Sequence, residues 1–170
     1  MGGGVGRICS LLTHSKGLLM TSNRRRRLPS ICVDEHLEPA VAAAFRPEFR
    51  GIEIAKTWRL RGREEREFVP ELYRENAVFV TSDGDFVNDA VDGGVRHAGI
   101  IYVPSKMTSD EKVYFAEIVG GFVRGGCVSS PHVFRECVLY PGHDGLRAIR
   151  GKRDDMEFSW DWLSQMLESR

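Results

Sequence analysis

The residues of this chain best suited to chemistry are acids that directly follow two short apolar segments. The segments are Ile31–Val33 and Val78–Thr81. The acids are Asp34 and Glu35 after the first segment, and Asp83 and Asp85 after the second. In an open α/β sheet, ligands bind outside the carboxyl ends of the strands. If both segments are strands of such a sheet, these carboxylates gather at one of its edges.

A group of carboxylates is unfavourable unless a cation lies among them. Two like charges ~4 Å apart repel by roughly 4 kcal/mol at an effective dielectric constant of about 20. Hard divalent ions such as Mg²⁺ or Mn²⁺ remove that repulsion and prefer oxygen ligands. The sequence therefore predicts a Mg²⁺ or Mn²⁺ site. The structural alternative is that these acids are solvated, cap helices, or form an Asx turn around Gly84.

The elements that would position these acids alternate between strands and helices. Strands are predicted over residues 30–33, 51–55, 77–81 and 99–103, and helices over 38–45, 63–76, 85–91 and 110–124. This order predicts an α/β fold with a mainly parallel, four-stranded sheet and helices on its faces. Pro70 would cost ~3 kcal/mol inside a helix, so the second helix either kinks or begins its regular part near Glu67. Ser109 is the predicted cap of the fourth helix.

The chain divides into three predicted parts: a basic tail over residues 1–29, a domain over 30–126 and a C-terminal extension over 127–170. Residues 1–33 hold six basic residues and no acid, although the whole chain has a formal net charge of zero. The run Arg24–Arg27 is either a phosphate-binding segment or a solvated tail, and a targeting peptide is a further alternative. In the extension, residues 133–140 and 146–149 predict a hairpin, and Ser159 predicts the cap of a final helix.

Cysteine usage and hydropathy favour a cytoplasmic protein. The four cysteines form no C-x-x-C pair, so a reducing compartment is expected. No apolar run approaches 18 residues, so no membrane partner is expected. A zinc site is a weaker alternative, because its ligand types are present but widely spaced; they are Cys127, His132, Cys137 and His143.

Four blocks of the sequence, in this order, resemble the small PIN-like proteins of the PIN-domain superfamily. They are Ile31–Leu37, Leu60–Gly62 with the acids after it, Val78–Phe86 and Gly99–Val103. The best-known members of that superfamily are toxin nucleases of bacterial and archaeal toxin–antitoxin pairs. The resemblance covers roughly residues 30–125. It implies a three-layer α/β/α fold and a divalent-metal-dependent endoribonuclease.

The resemblance also assigns roles to particular residues. Asp34 matches the acid after the first strand and Glu35 the acid beside it, while Asp83 and Asp85 match the pair after the third strand. Thr81 matches the hydroxyl residue before that pair. His36 departs from the pattern, since the family usually has Asn there.

The middle helix of the family normally begins with an acid. Glu65 is the best match for that acid, with Glu64 and Glu67 as competitors. Asp34, Glu65, Asp83 and Asp85 are then the expected catalytic residues, and the expected metal ligands are the same four with Glu35.

Substrate contacts are expected from Thr81, Arg61 and Arg63, the last two because they lie close in sequence to the predicted site. The expected partners are an RNA substrate and a protein antitoxin, and a homodimer stays open. Two alternatives remain: a PIN-like binding module without catalysis, and a receiver-like phosphoacceptor domain. The second fits less well, because it requires a lone Asp after the third strand and a Lys after a later one.

Overall fold

The computed structural model describes residues 29–49, 51–55, 60–151 and 154–168. The basic tail, including Arg24–Arg27, lies outside these residues. The described elements, numbered in chain order, are β1 (Ser30–Val33), α1 (Pro39–Ala44), β2 (Ile52–Ile54), α2 (Glu65–Glu75), β3 (Ala77–Thr81), α3 (Gly84–Val91), β4 (Ile100–Tyr102), α4 (Ser109–Ser129), β5 (Val138–Pro141), β6 (Gly145–Arg150), β7 (Asp154–Ser159) and α5 (Trp160–Glu168). None of the described helices is long and apolar enough to cross a membrane.

The strands form one mixed sheet in the order β2-β1-β3-β4-β5-β6-β7. The first five strands are parallel to one another, and β6 and β7 continue the sheet in antiparallel fashion. The predicted α/β class with a mainly parallel sheet is confirmed. The predicted count of four strands is wrong, because β5 pairs with β4 and so joins the predicted C-terminal hairpin, β5 and β6, to the sheet. β7, which was not predicted, extends the sheet by one more strand.

Alternate residues of the central strands face two separate cores, as the period of a β-strand requires. Ile31 and Val33 belong to the core that α1, α4 and α5 cover, whereas Cys32 belongs to the core under α2 and α3. Helices therefore cover both faces of the sheet, and parallel strands buried on both faces explain why the predicted strands are continuously apolar.

The helix ends differ in detail from the sequence prediction. Pro70 lies inside α2, which runs without interruption to its left-handed C-cap at Asn76. The cap of α4 is Thr108, not Ser109. The Thr108 hydroxyl accepts a hydrogen bond from the Glu111 amide, and the Glu111 carboxylate accepts one from the Thr108 amide. This reciprocal capping box satisfies two amides, which explains why the helix begins there.

The strand order places a topological switch point between β1 and β3. The order 2-1-3-4-5 of the parallel strands is a common doubly wound arrangement, in which a crevice opens where the strand order reverses. After β1 the chain enters α1 on one face of the sheet, and after β3 it enters α3 on the other. The carboxyl ends of β1 and β3 therefore border the position where this class of fold binds ligands.

Candidate functional site

Asp34 and Asp83, which follow β1 and β3, are linked through the side chain of Thr81. The Thr81 hydroxyl donates a hydrogen bond to Asp34 Oδ2 over 3.0 Å and accepts one from the Asp83 amide over 3.0 Å. The Asp34 amide also donates to the Val80 carbonyl at 2.9 Å, which continues the β1–β3 pairing by one residue. The structure therefore brings these two predicted acids to the same edge of the sheet.

The Asp34 carboxyl group is buried, with 4% of the residue exposed. It accepts the Thr81 hydroxyl and, at 3.3 Å, the backbone amide of His36. No lysine, arginine or histidine of the described residues forms an ion pair with it. Burying a carboxylate is costly without a compensating charge or a full set of hydrogen bonds. Asp34 is thus a buried carboxyl group that a cation would stabilise.

Asp83 has a structural task at the start of α3. Its Oδ1 accepts the backbone amides of Asp85 at 2.9 Å and Phe86 at 3.0 Å, so Asp83 is the N-cap of that helix. Asp85 is exposed in the first turn, where a negative charge favours the helix dipole. Asp83 is therefore a helix cap, as the structural alternative predicted. Both capping hydrogen bonds use Oδ1, and the residue remains exposed to solvent.

Glu65 is the first residue of α2, and Glu64 before it is the N-cap position. Because α2 connects the parallel strands β2 and β3, it runs antiparallel to them and begins at their carboxyl edge. Glu65 is therefore placed at the edge that holds Asp34 and Asp83. The helix begins at Glu65, two residues before the predicted regular start near Glu67.

The two predicted substrate-binding arginines differ in their surroundings. Arg61 is exposed. Arg63 is half-buried, and its guanidinium binds both carboxylate oxygens of Glu71, at 2.6 and 3.1 Å, and lies 3.7 Å from Glu67. The hydrogen bonds that Arg63 donates to Glu71 raise the pKa of Arg63. The structure thus engages Arg63 with α2, whereas Arg61 and the exposed Glu35 face solvent.

Among the described residues, no three side chains of the types His, Cys, Asp and Glu lie close enough together to hold a metal ion. This applies to the predicted acids as well as to the alternative zinc ligands. Cys127 and Cys137 are buried, and burial raises the pKa of each thiol to about 12. Both therefore remain protonated at neutral pH, which is unfavourable for zinc because the thiolate is the ligand.

Sequence reasoning missed an aromatic row that continues from the acids across the same face of the sheet. Thr81 pairs with Tyr102 of β4, and the register of β4 with β5 brings Tyr140 next to Tyr102. Tyr140 in turn pairs with Arg147, whose guanidinium lies 5.5 Å from the centre of the Tyr140 ring. A signal was present, since each strand carries near its end a tyrosine followed within two residues by proline, at Pro104 and Pro141.

Comparisons with known proteins do not assign this chain to a family. No family model matches it, and neither a curated protein nor a solved structure matches it. The PIN-like resemblance thus remains a prediction based on the four blocks of sequence.

Proposed function

We propose that this protein is a divalent-metal-dependent ribonuclease of PIN-like type that hydrolyses phosphodiester bonds of single-stranded RNA. The proposal rests chiefly on one observation: the carboxyl group of Asp34 is buried at the switch point without a cationic partner among the described residues. A toxin in a toxin–antitoxin pair, acting in the cytoplasm, is the biological setting that the resemblance implies.

The residues at this edge fit Mg²⁺ or Mn²⁺ although they do not form a closed set of three ligands. Mg²⁺ keeps several water molecules and is commonly held by one or two carboxylates together with phosphate oxygens of the substrate. Asp34 and Asp83 would supply these carboxylates, and Asp85, Glu65 and Glu35 would add negative charge nearby. When bound, the ion would neutralise a phosphate oxygen and lower the pKa of a water molecule.

The described side chains would then orient the reaction. The Thr81 hydroxyl donates to Asp34 Oδ2, so it holds one carboxylate oxygen. Among the described residues, Oδ1 accepts only the 3.3 Å hydrogen bond from the His36 amide. The same hydroxyl fixes the Asp83 backbone, and thereby the start of α3. Thr81 is therefore proposed as a positioning residue rather than as a group that touches RNA.

The test is a cleavage assay on the full chain with labelled single-stranded RNA, in Mn²⁺ or Mg²⁺ and in excess EDTA. Wild-type protein should cleave only with the metal, and Asp34→Asn should lose this activity. Asp92→Asn is the matched control, because it makes the same chemical change at the C-cap of α3, at the far end of that helix. Equal cleavage in EDTA, or an active Asp34→Asn, would contradict the proposal.

A catalytically silent, PIN-like binding module is the second candidate. It is favoured by the engagement of Asp83 Oδ1 in two capping hydrogen bonds and by the lack of a three-ligand group among the described residues. Such a module would bind RNA or a protein partner at this edge without hydrolysis. Purified protein that binds RNA and never cleaves it with either metal would favour this candidate.

A further inference from the structure

A cleft of roughly 810 Å³ opens at the same edge of the sheet, on the side away from β1. Tyr102 and Tyr140 at the ends of β4 and β5 form one part of its wall, and Tyr114 of α4 and Trp160 of α5 form another. Its size is within the range of small-ligand sites in proteins. The C-terminal extension, which lies outside the resemblance, therefore contributes five of the 13 residues that line this cleft.

The cleft adjoins the candidate site at Tyr102. Tyr102 is paired with Thr81, the residue that links Asp34 and Asp83. A Cβ built on Gly84 would lie 3.2 Å from the Tyr102 hydroxyl, so that hydroxyl touches the first turn of α3 next to Asp83. From β1 to β5 there are three strand steps of ~4.8 Å, or about 14 Å in all. A flexible, single-stranded polymer with one unit at Asp34 would therefore place a nearby unit of the same strand in the cleft.

Aromatic exposure in the cleft is unusual for this molecule. Tyr114 is 59% exposed and is the one large hydrophobic side chain that is exposed among the described residues. Trp160 is partly buried and packs edge-on against Phe115, with ring centres 6.2 Å apart. Nucleic-acid bases stack on such rings without sequence preference, because every base has a π face.

Two basic side chains border the cleft. Lys106 is exposed on one side, and the exposed His143 lies on the other. The hydrogen bond to Asp144 raises the pKa of His143, so His143 keeps a positive charge at higher pH than a free histidine does. Glu111 in the wall is a carboxylate whose Oε2 accepts hydrogen bonds from the Thr108 amide and hydroxyl over 2.8 and 3.0 Å, and these bonds lower its pKa. The positive charge available to a phosphate in the cleft therefore comes chiefly from Lys106, since Asp144 pairs with His143.

We propose that this cleft binds an unpaired base of single-stranded RNA, stacked against Tyr114, beside the phosphate that lies at Asp34 and Asp83. This inference deepens the proposed ribonuclease function and rests on it for the position of the scissile phosphate. Lys106 contacts the backbone of the same strand. Double-stranded RNA, whose bases are already stacked and paired, is excluded from the cleft.

The experiment measures binding of the full chain to a labelled single-stranded RNA of mixed sequence, in EDTA so that metal-dependent cleavage does not interfere. Loss of one base–aromatic stack weakens binding by about 5- to 150-fold. Tyr114→Ala and Tyr114→Leu should both show this loss, and Tyr114→Phe should bind like wild type. Leucine keeps apolar area but has no π face, so it separates base stacking from docking of an apolar peptide.

Lys106→Gln should weaken binding and reduce the slope of log Kd against log salt by about 0.7, the value for one phosphate contact on a single strand. Arg46→Gln is the matched control: Arg46 is exposed just after α1, which runs away from this edge. A Tyr114→Leu variant that binds like wild type, equal affinity for the duplex of the same sequence, or no RNA binding at all would overturn the inference.

The experiments distinguish an error in the cleft inference from an error in the ribonuclease proposal. If wild-type protein cleaves RNA in Mn²⁺ but Tyr114→Ala binds RNA as tightly as wild type, the cleft inference is wrong and the ribonuclease stands. If no cleavage occurs but the Tyr114 variants lose binding as described, the cleft inference stands and the chain is a binding module.

Discussion

The Thr81 hydroxyl donates a 3.0 Å hydrogen bond to the buried carboxyl group of Asp34, and this bond joins the ends of β3 and β1. Thr81 is fully buried, so its hydroxyl has no water to replace a lost partner. The same oxygen accepts the Asp83 amide. One side chain therefore supports both acids on which the proposed function depends.

Replacing Thr81 by valine should destabilise the protein by roughly 1–3 kcal/mol. Valine has nearly the same shape, but it leaves a buried Asp34 oxygen and the Asp83 amide without their partner. Thr81→Ser keeps the hydroxyl and its hydrogen bonds, so it should lower the free energy of unfolding by less. Urea unfolding of both variants measures the difference. A Thr81→Val protein as stable as wild type would show that the bond contributes little.

Mn²⁺ should raise the melting temperature of the folded protein. A ligand at 100 times its Kd stabilises the native state by about 2.7 kcal/mol. For a chain of this size that corresponds to about 5–10 °C. Thermal melts across a Mn²⁺ titration, with EDTA as the reference, measure the effect. Identical melts with and without Mn²⁺ would count against a metal site at this edge.

Two substitutions of Asp83 separate its capping role from its charge. Asn caps helices about as well as Asp, whereas Ala costs about 1 kcal/mol at an N-cap. Asp83→Ala should therefore lower the melting temperature in EDTA, and Asp83→Asn should raise it slightly because it removes repulsion among the acids. Both variants should respond less to Mn²⁺. A full Mn²⁺ response in Asp83→Asn would show that Asp83 acts only as a cap.

The buried His97 should make stability depend on pH. Only 1% of His97 is exposed, and burial lowers its pKa to about 4. Glu136 lies 4.0 Å from Nε2, too far for a hydrogen bond that would favour the charged form. The unfolded chain therefore binds more protons than the folded one between about pH 6.5 and pH 4. Stability should fall as the pH falls through that window, by up to ~3 kcal/mol.

A His97→Leu variant isolates this contribution, because leucine is apolar, of similar size and does not titrate. Urea unfolding from pH 7.5 to pH 4.5 should show a smaller decline in the variant than in wild type. Parallel pH curves for the two proteins would mean that His97 keeps its ordinary pKa in the fold.

Local signals in the sequence were sufficient to predict most of the parallel half of the fold. The segments ending at Val33 and Thr81 are short, apolar and followed by acids, and both are strands that end where predicted. The start of α4 was placed one residue late, although Glu111 lies three residues after Thr108, the spacing of a capping box.

Predicting the C-terminal half of the fold would have required knowledge of which distant residues pair. β5 joins β4 only after the 21 residues of α4, and sequence pattern alone does not specify such a partner. β7 was missed because acids dominate it; Met156 and Phe158 alternate with Asp155 and Glu157. Charged residues on an edge strand hinder pairing with other chains, which explains their presence there. The aromatic cleft was missed for the same reason, since its wall combines both halves.

The most direct test of the account is the single-turnover rate of RNA cleavage in Mn²⁺ by wild type, Asp34→Asn, Asp83→Asn and the double variant. Each single substitution removes a charge with little change in volume, so folding, checked by circular dichroism, should be retained. If both carboxylates act on one metal ion, each single variant should lose activity by orders of magnitude. The double variant should lose little more, because residues that act as a unit are not additive. Wild-type protein without metal-dependent cleavage, or variants that cleave at the wild-type rate, would contradict the ribonuclease proposal.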